Sequence, residues 1–130
     1  MNKKIEQALN EQMQAEVLSL YLYVSVGAFF SGRHLDGFAR WMRIQAEEEL
    51  SHAMKLFDHV DERGGSVKLM ALDAPQHEWQ SPSAAVEAVL NHERHITERI
   101  NRIADLANSE NDHATTVLMH WYVNEQVEEE

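Results

Sequence analysis

Gln45-Ala46-Glu47-Glu48-Glu49-Leu50-Ser51-His52 sets a run of carboxylates just ahead of an imidazole. In a helix, positions i and i+3 lie one turn apart on the same face, so Glu49 and His52 can converge on one atom as a metal chelate. Alone the pair decides little. Glu110 and His113 repeat it in a polar stretch, and a solvated helix face produces the same spacing. Its place in the apolar pattern decides more. Phe38, Met42, Gln45, Glu49, His52, Leu56 and His59 follow at alternating steps of four and three, which is the inward seam of a bundled helix. Polar groups stand where apolar ones belong.

Working outward, the same period predicts three more helices. The first, α1 (3–31), carries Leu9, Met13, Glu16, Leu20, Tyr23 and Gly27 on its seam. A short turn at 31–35 leads to α2 (36–63), with Asp36 as its expected N-cap, and so brief a turn makes α1 and α2 antiparallel neighbours. Gly64-Gly65 stops α2 through a positive φ beyond the last turn. Residues 66–80 have no helical period and contain Pro75. Extended at ~3.3 Å per residue, this segment spans the ~40 Å of a long helix and returns the chain to the far end as a crossover. Ser81-Pro82 then caps and starts α3 (82–107), whose seam is Val86, Val89, Glu93, Ile96, Ile100 and Ile103. After a polar turn at 108–112, α4 begins at His113 with Leu118, Met119, Tyr122, Gln126 and Glu129 facing in. The fold class read from this is all-α, a single four-helix bundle domain with one long crossover and a short last helix.

Composition narrows the function. The chain has 130 residues, 44% hydrophobic, which suits one domain with a real core. Its 11 basic and 22 acidic residues argue against nucleic acid or an anionic membrane as partner, and for either cation attraction or mere solubility. The absence of cysteine excludes disulfides and thiolate chemistry. The N-terminus enters an amphipathic helix without an apolar leader, and no uninterrupted apolar run approaches ~18 residues, so a cytoplasmic location is expected.

Each seam carries one carboxylate: Glu16, Glu49, Glu93 and Glu129. At ~1.5 Å per residue from each helix start, they lie ~20, ~20, ~16 and ~24 Å in, near one level of a ~40 Å bundle. Buried carboxylates cost several kcal/mol each unless protonated or paired, and no Lys or Arg occupies the seams. Two divalent metals would balance the four charges. Oxygen ligands with one imidazole suit iron or manganese better than structural zinc. The competing reading is a hydrated polar core without metal. Tyr23, on the Glu16 seam, is either a hydrogen-bond donor to a ligand or a plain core aromatic, and Gln126 can orient a ligand or water without adding charge. Glu48, Glu125 and Glu128 flank the seam as an exit site for metal or as a solvated acidic face. The other histidines, His92 and His95 included, read as structural or exposed, and Trp41, Trp79 and Trp121 as packing.

With these residues in place, the chain resembles the bacterial non-haem ferritins across its full length. The matching segments are Asn10-Glu11-Gln12-Met13 through Glu16 to Tyr23, Glu47 to His52, Glu93 with Ile96, and Trp121 to Glu130. The resemblance implies one iron held by Glu16, Glu49 and His52, and a second by Glu49, Glu93 and Glu129, with Glu49 bridging and Gln126 beside the second iron. It also implies a third iron site at Glu48, Glu125, Glu128 and Glu129, as in some members. The activity it implies is oxidation of Fe(II) by O2 or H2O2. Storage of Fe(III) mineral follows, inside a self-assembled shell, a 24-mer. The haem-binding relatives carry a second Glu-x-x-His and a haem-ligating Met where this chain has Gln126-x-x-Glu129 and Leu50, so haem is not expected. A family member would complete the fourth helix and add a short fifth, and shell assembly is expected to depend on that part. Two other function classes stay open: an acidic helical assembly module without turnover, and a di-iron peroxidase acting on another substrate.

Overall fold

Three of the four described helices start at a residue whose side chain satisfies free backbone amides. Asn2 Oδ1 accepts from the Lys4 and Ile5 amides at 2.8 and 3.1 Å and opens α1, Lys3–Gly32. Ser81 accepts from the Ala84 amide at 3.1 Å, with Pro82 behind it, and opens α3, Pro82–Ser109. Gly64, at φ +77°, lets the chain turn away from α2, Asp36–Glu62, and the Gly65 amide then closes on the Val60 carbonyl at 2.9 Å. Asp112 opens α4, His113–Glu129, by accepting from the amide and hydroxyl of Thr115 at 3.0 and 2.8 Å. In this computed structural model, residues 1–129 are described, and Glu130, the last of the acidic run, lies outside them.

One expected cap is corrected. Leu35 stands at the N-cap of α2 without a side-chain hydrogen bond, and Asp36 lies inside the first turn. There its charge faces the positive end of the helix dipole, which stabilises the helix without a capping bond.

The Asp112 cap yields a testable expectation. Asp112→Ala will destabilise the chain by about 1 kcal/mol at neutral pH. Burial raises the Asp112 carboxyl, but the two Thr115 hydrogen bonds outweigh it and hold it below its ordinary 3.8. The stabilisation is therefore full above 3.8 and fades as pH falls through the lower folded value. Urea unfolding of both proteins at pH 7 and in strong acid checks it, because the gap between them should close in acid.

The crossover, 66–80, runs along α1 as the spacing requires. Asn10 Nδ2 donates to Ser66 O at 2.9 Å, and Asn10 Oδ1 accepts from Lys68 N at 2.8 Å. Farther up, Gln14 donates to Ala71 O and Ser25 to Gln76 O, both at 2.6 Å, and Trp79 packs edge-on to Phe29 at 5.4 Å. The anchors on α1 rise in the same order as the residues they hold. Hence α3 starts beside the C-terminal end of α1 and runs antiparallel to it. Asn10 is buried, so Asn10→Ala strands two backbone groups and will cost about 2 kcal/mol in chemical unfolding. Wild-type stability in that variant would show that the crossover holds without this anchor.

Two hydrophobic clusters flank a polar layer. Below it lie Leu9, Met13, Leu56, Val60, Ile96, Ile100, Met119 and Tyr122, and above it Tyr23, Val26, Phe30, Met42, Trp79 and Val89. The seams differ from expectation at three places. Phe38 is 51% exposed and Val86 39%, while Val26, Phe30 and Ala85 take inward positions, with Gly27 at the margin. A straight helix drifts ~20° per heptad against a strict four-three pattern, so the reading slips at the helix ends and holds in the middle. Among the described residues, α1 alone is long and apolar enough to cross a membrane by length and composition. Here its length lies against α2, α3 and the crossover, which use that apolar surface.

Candidate metal centre

The polar layer is where the four seam carboxylates sit. Glu16 comes from α1, Glu49 and His52 from α2, Glu93 from α3 and Glu129 from α4, and all but the half-buried Glu129 are at most 5% exposed. Two triads bring ligand atoms within 4.8 Å of one another: Glu16, Glu49 and His52 form one, and Glu49, Glu93 and Glu129 the other. Glu49 belongs to both, so it faces two adjacent positions. The four carboxylates thus lie at one level of the bundle, as equal helical rise requires.

The first position is bounded by His52 Nδ1, which lies 3.4 Å from Glu49 Oε2 and 3.7 Å from Glu16 Oε2. The imidazole is held by the edge of Trp121 at 5.5 Å, and the Tyr122 hydroxyl donates to the His52 carbonyl at 2.7 Å. Lys55 lies 4.1 Å over the Trp121 ring and backs it from outside. Glu16 Oε1 accepts from Gln12 Nε2 at 3.0 Å, whereas Glu16 Oε2 is buried without a hydrogen-bond partner. Such an orphan oxygen costs about 1–3 kcal/mol in a folded chain and fits a place kept for a cation.

The second position is bounded by Glu93, both of whose oxygens are held. The Tyr23 hydroxyl donates to Oε1, and Gln126 Nε2 donates to Oε2 at 3.2 Å and to Thr97 Oγ1 at 2.9 Å. Tyr23 thus donates into the layer rather than packing as a plain core aromatic, and Gln126 orients the Glu93 carboxylate.

The charges of the layer answer one another. Burial pushes Glu49 up, the adjacent Glu16 adds to it, and the carboxyl reaches about 9 despite His52. Burial also raises Glu16, but Glu49, His52 and Gln12 outweigh it and leave Glu16 below the ordinary carboxylate range. Burial lowers His52, yet Glu16 and Glu49 together lift it to about 10. Burial raises Glu93 over the opposing donors Tyr23 and Gln126, and burial with the neighbouring Glu48 and Glu93 raises Glu129 to about 8. Carboxyls crowded at one level concentrate negative charge that dications could balance.

A third cluster joins His52, Glu125 and Glu129, with His52 Nε2 3.8 Å from Glu125 Oε2 and Glu48 against Glu129. Glu128 is exposed and stands outside the three clusters, while His52 lies beside Glu125 and Glu129. The loop pair is no chelate: Glu110 instead pairs with Lys4 at 3.6 Å. His92 is half-buried, with Nε2 2.6 Å from Ser19 Oγ and its ring edge-on to Tyr23 at 5.9 Å.

Two residues of the site escaped the sequence reading. Gln12 is fully buried one turn before Glu16, and Arg99 Nε donates to Gln12 Oε1 at 3.1 Å. The first was findable as the i−4 neighbour of Glu16. The second sits on a half-buried flank of α3 and bears on the expectation that no cation faces inward: Arg99 reaches the layer through an amide, not directly.

The chain as a whole is similar to known proteins. The ferritin-like domain family matches residues 6–130. The bacterial non-heme ferritin of Bacteroides fragilis is 38% identical over 130 residues, covering 100% of this chain and 82% of that protein. The bacterial non-heme ferritin of Staphylococcus saprophyticus is 37% identical, over 100% of this chain and 78% of its own length. Among solved structures, the open pore ferritin of the hyperthermophilic archaeon Archaeoglobus fulgidus superposes with a TM-score of 0.98 at 50% identity, covering 99% of this chain and 80% of that one. The Chlorobium tepidum ferritin gives 0.97 at 40% identity, over 99% and 79%. With the family pattern spanning nearly the whole chain and the four-helix arrangement shared with ferritins, this chain belongs to the ferritin family.

Proposed function

We propose that the chain is a non-haem iron-storage ferritin whose intra-bundle centre oxidises Fe(II), with O2 or H2O2 as electron acceptor. The observation that carries the reading is the pair of overlapping triads that share Glu49. Iron is substrate here. Carboxylate oxygens with one imidazole are a donor set for a hard, redox-active dication, and they bind Fe(III) more strongly still. Two adjacent Fe(II) ions surrender one electron each, so the pair supplies the two electrons that, with two protons, take O2 to H2O2 or H2O2 to water. Tyr23 and Gln126 hold both oxygens of Glu93 while this happens. Glu129 is half-buried and borders the His52, Glu125 and Glu129 cluster, a path by which a third iron or an oxidised ion moves outward. Storage of the product as mineral requires self-association into a shell, the 24-mer expected of the family. A cytoplasmic site of action and the absence of haem go with this reading.

One sample tests it. Fe(II) is titrated anaerobically, oxygen is admitted, and oxidised iron per chain and particle mass are measured together. Two irons oxidised rapidly per chain, followed by mass growth with added iron, are expected. Oxidation no faster than in buffer overturns the enzymatic reading, and a small, mineral-free oligomer would favour an assembly module. Turnover of an organic or peroxide substrate without mineral would favour a peroxidase.

A further inference from the structure

Glu16 is tied on one side only, and that asymmetry has a source outside the ligand set. Its Oε1 takes a hydrogen bond from Gln12 Nε2 at 3.0 Å, while its Oε2 points at the first position, 3.7 Å from His52 Nδ1. Gln12 is fully buried and therefore has no water to turn toward. Its amide oxygen accepts from Arg99 Nε at 3.1 Å. A guanidinium can only donate and a carboxylate only accepts, so a single orientation of the amide between them satisfies both. The reversed amide would set an oxygen against the carboxylate and N–H groups against the guanidinium. Arg99 thus acts at a distance: it fixes which end of Gln12 meets Glu16, and through it which oxygen of Glu16 is free.

We propose that Gln12 and Arg99 are positioning residues for the first iron position, holding Glu16 so that Oε2 alone faces the metal and making this position the one filled first. The proposal rests on the metal reading above. Glu93, at the second position, has both oxygens engaged by Tyr23 and Gln126 and, among the described residues, no such cation-backed amide. A buried amide that orients a ligating carboxylate contributes typically 10–100-fold to metal affinity.

Co(II), a dication that does not turn over in air, serves as the probe. His52 faces the first position through Nδ1 and the third cluster through Nε2, so paramagnetically shifted imidazole resonances in proton NMR that include an exchangeable Nε2–H report Co(II) on Nδ1, at the first position. In the wild type these resonances should grow with the first equivalent. In Gln12→Met, which keeps the volume and removes the donor, first-position affinity should fall about 10–100-fold, so that the resonances appear only with the second equivalent. Arg99→Gln, on a half-buried flank, should weaken the same position, and Arg99→Lys, still a pure donor, should restore it. Circular dichroism establishes that each variant is folded, and Arg99→Gln carries the test should Gln12→Met fail to fold. Wild-type affinity in Gln12→Met or Arg99→Gln, or equal weakening of both positions, overturns the proposal while leaving the metal site standing. No Co(II) binding by the wild type overturns both.

Discussion

Glu49→Ala will bring Fe(II) oxidation down to the rate in buffer, a loss on the order of 100-fold or more, while the fold survives. Glu49 is the one side chain common to both triads, so its removal takes a ligand from each position and the link between them. A change at Glu93 or Glu16 leaves one complete triad and should be milder. The metal-free variant should unfold no earlier than the wild type. Glu49 is 2% exposed and is driven up to about 9 by burial and Glu16, which marks it as a group the folded chain accommodates at a cost. Removing such a carboxyl offsets the small cavity it leaves. Stopped-flow oxidation assays with thermal unfolding check both halves. Rapid turnover in folded Glu49→Ala would mean that the chemistry occurs elsewhere, and a collapsed fold would mean that the layer is structural.

Redox-inert dications should raise the unfolding temperature of the wild type by about 15 °C at a hundredfold excess over Kd. The arithmetic is about 3 kcal/mol for each of two sites, against a few degrees per kcal/mol for a chain of this size. The sign follows from the orphan oxygen of Glu16 and the raised carboxyls Glu49 and Glu129, all of which a metal satisfies only in the folded chain. Zn(II) in a differential scanning experiment is a suitable probe, with Glu49→Ala as the control that should lose most of the shift. A shift under about 2 °C would sink the buried two-metal centre, whatever the family resemblance.

Much of this was legible because helical geometry is regular. Glu16, Glu49, His52 and Glu93 were readable as an inward set from spacing alone, since a rise and a period place residues on a known face at a known depth. The crossover was legible for the same reason: a short connection could not return the chain to the far end. The reading weakened where regularity did. Phe38 and Val86, near helix starts, turned outward, and Asp36 fell one position inside the helix it was expected to cap. Glu128, at the end of α4, also stands apart from the clusters. At a helix end few neighbours hold the register, so a one-residue shift of face carries little penalty.

The amino-acid order by itself determined the four-helix class, the long return segment and the one polar level inside an apolar interior. These depend on periodicity, and periodicity is a property of the chain. Only the tertiary structure decided that Tyr23 grips Glu93, that His52 is shared between the first and third clusters, and that Arg99 governs Glu16 through Gln12. Apart from Gln12 and Glu16, one turn apart on α1, those contacts join different helices across sequence separations of tens of residues. Side-chain reach and helix rotation of an ångström or so choose among partners there, and no local pattern records that choice.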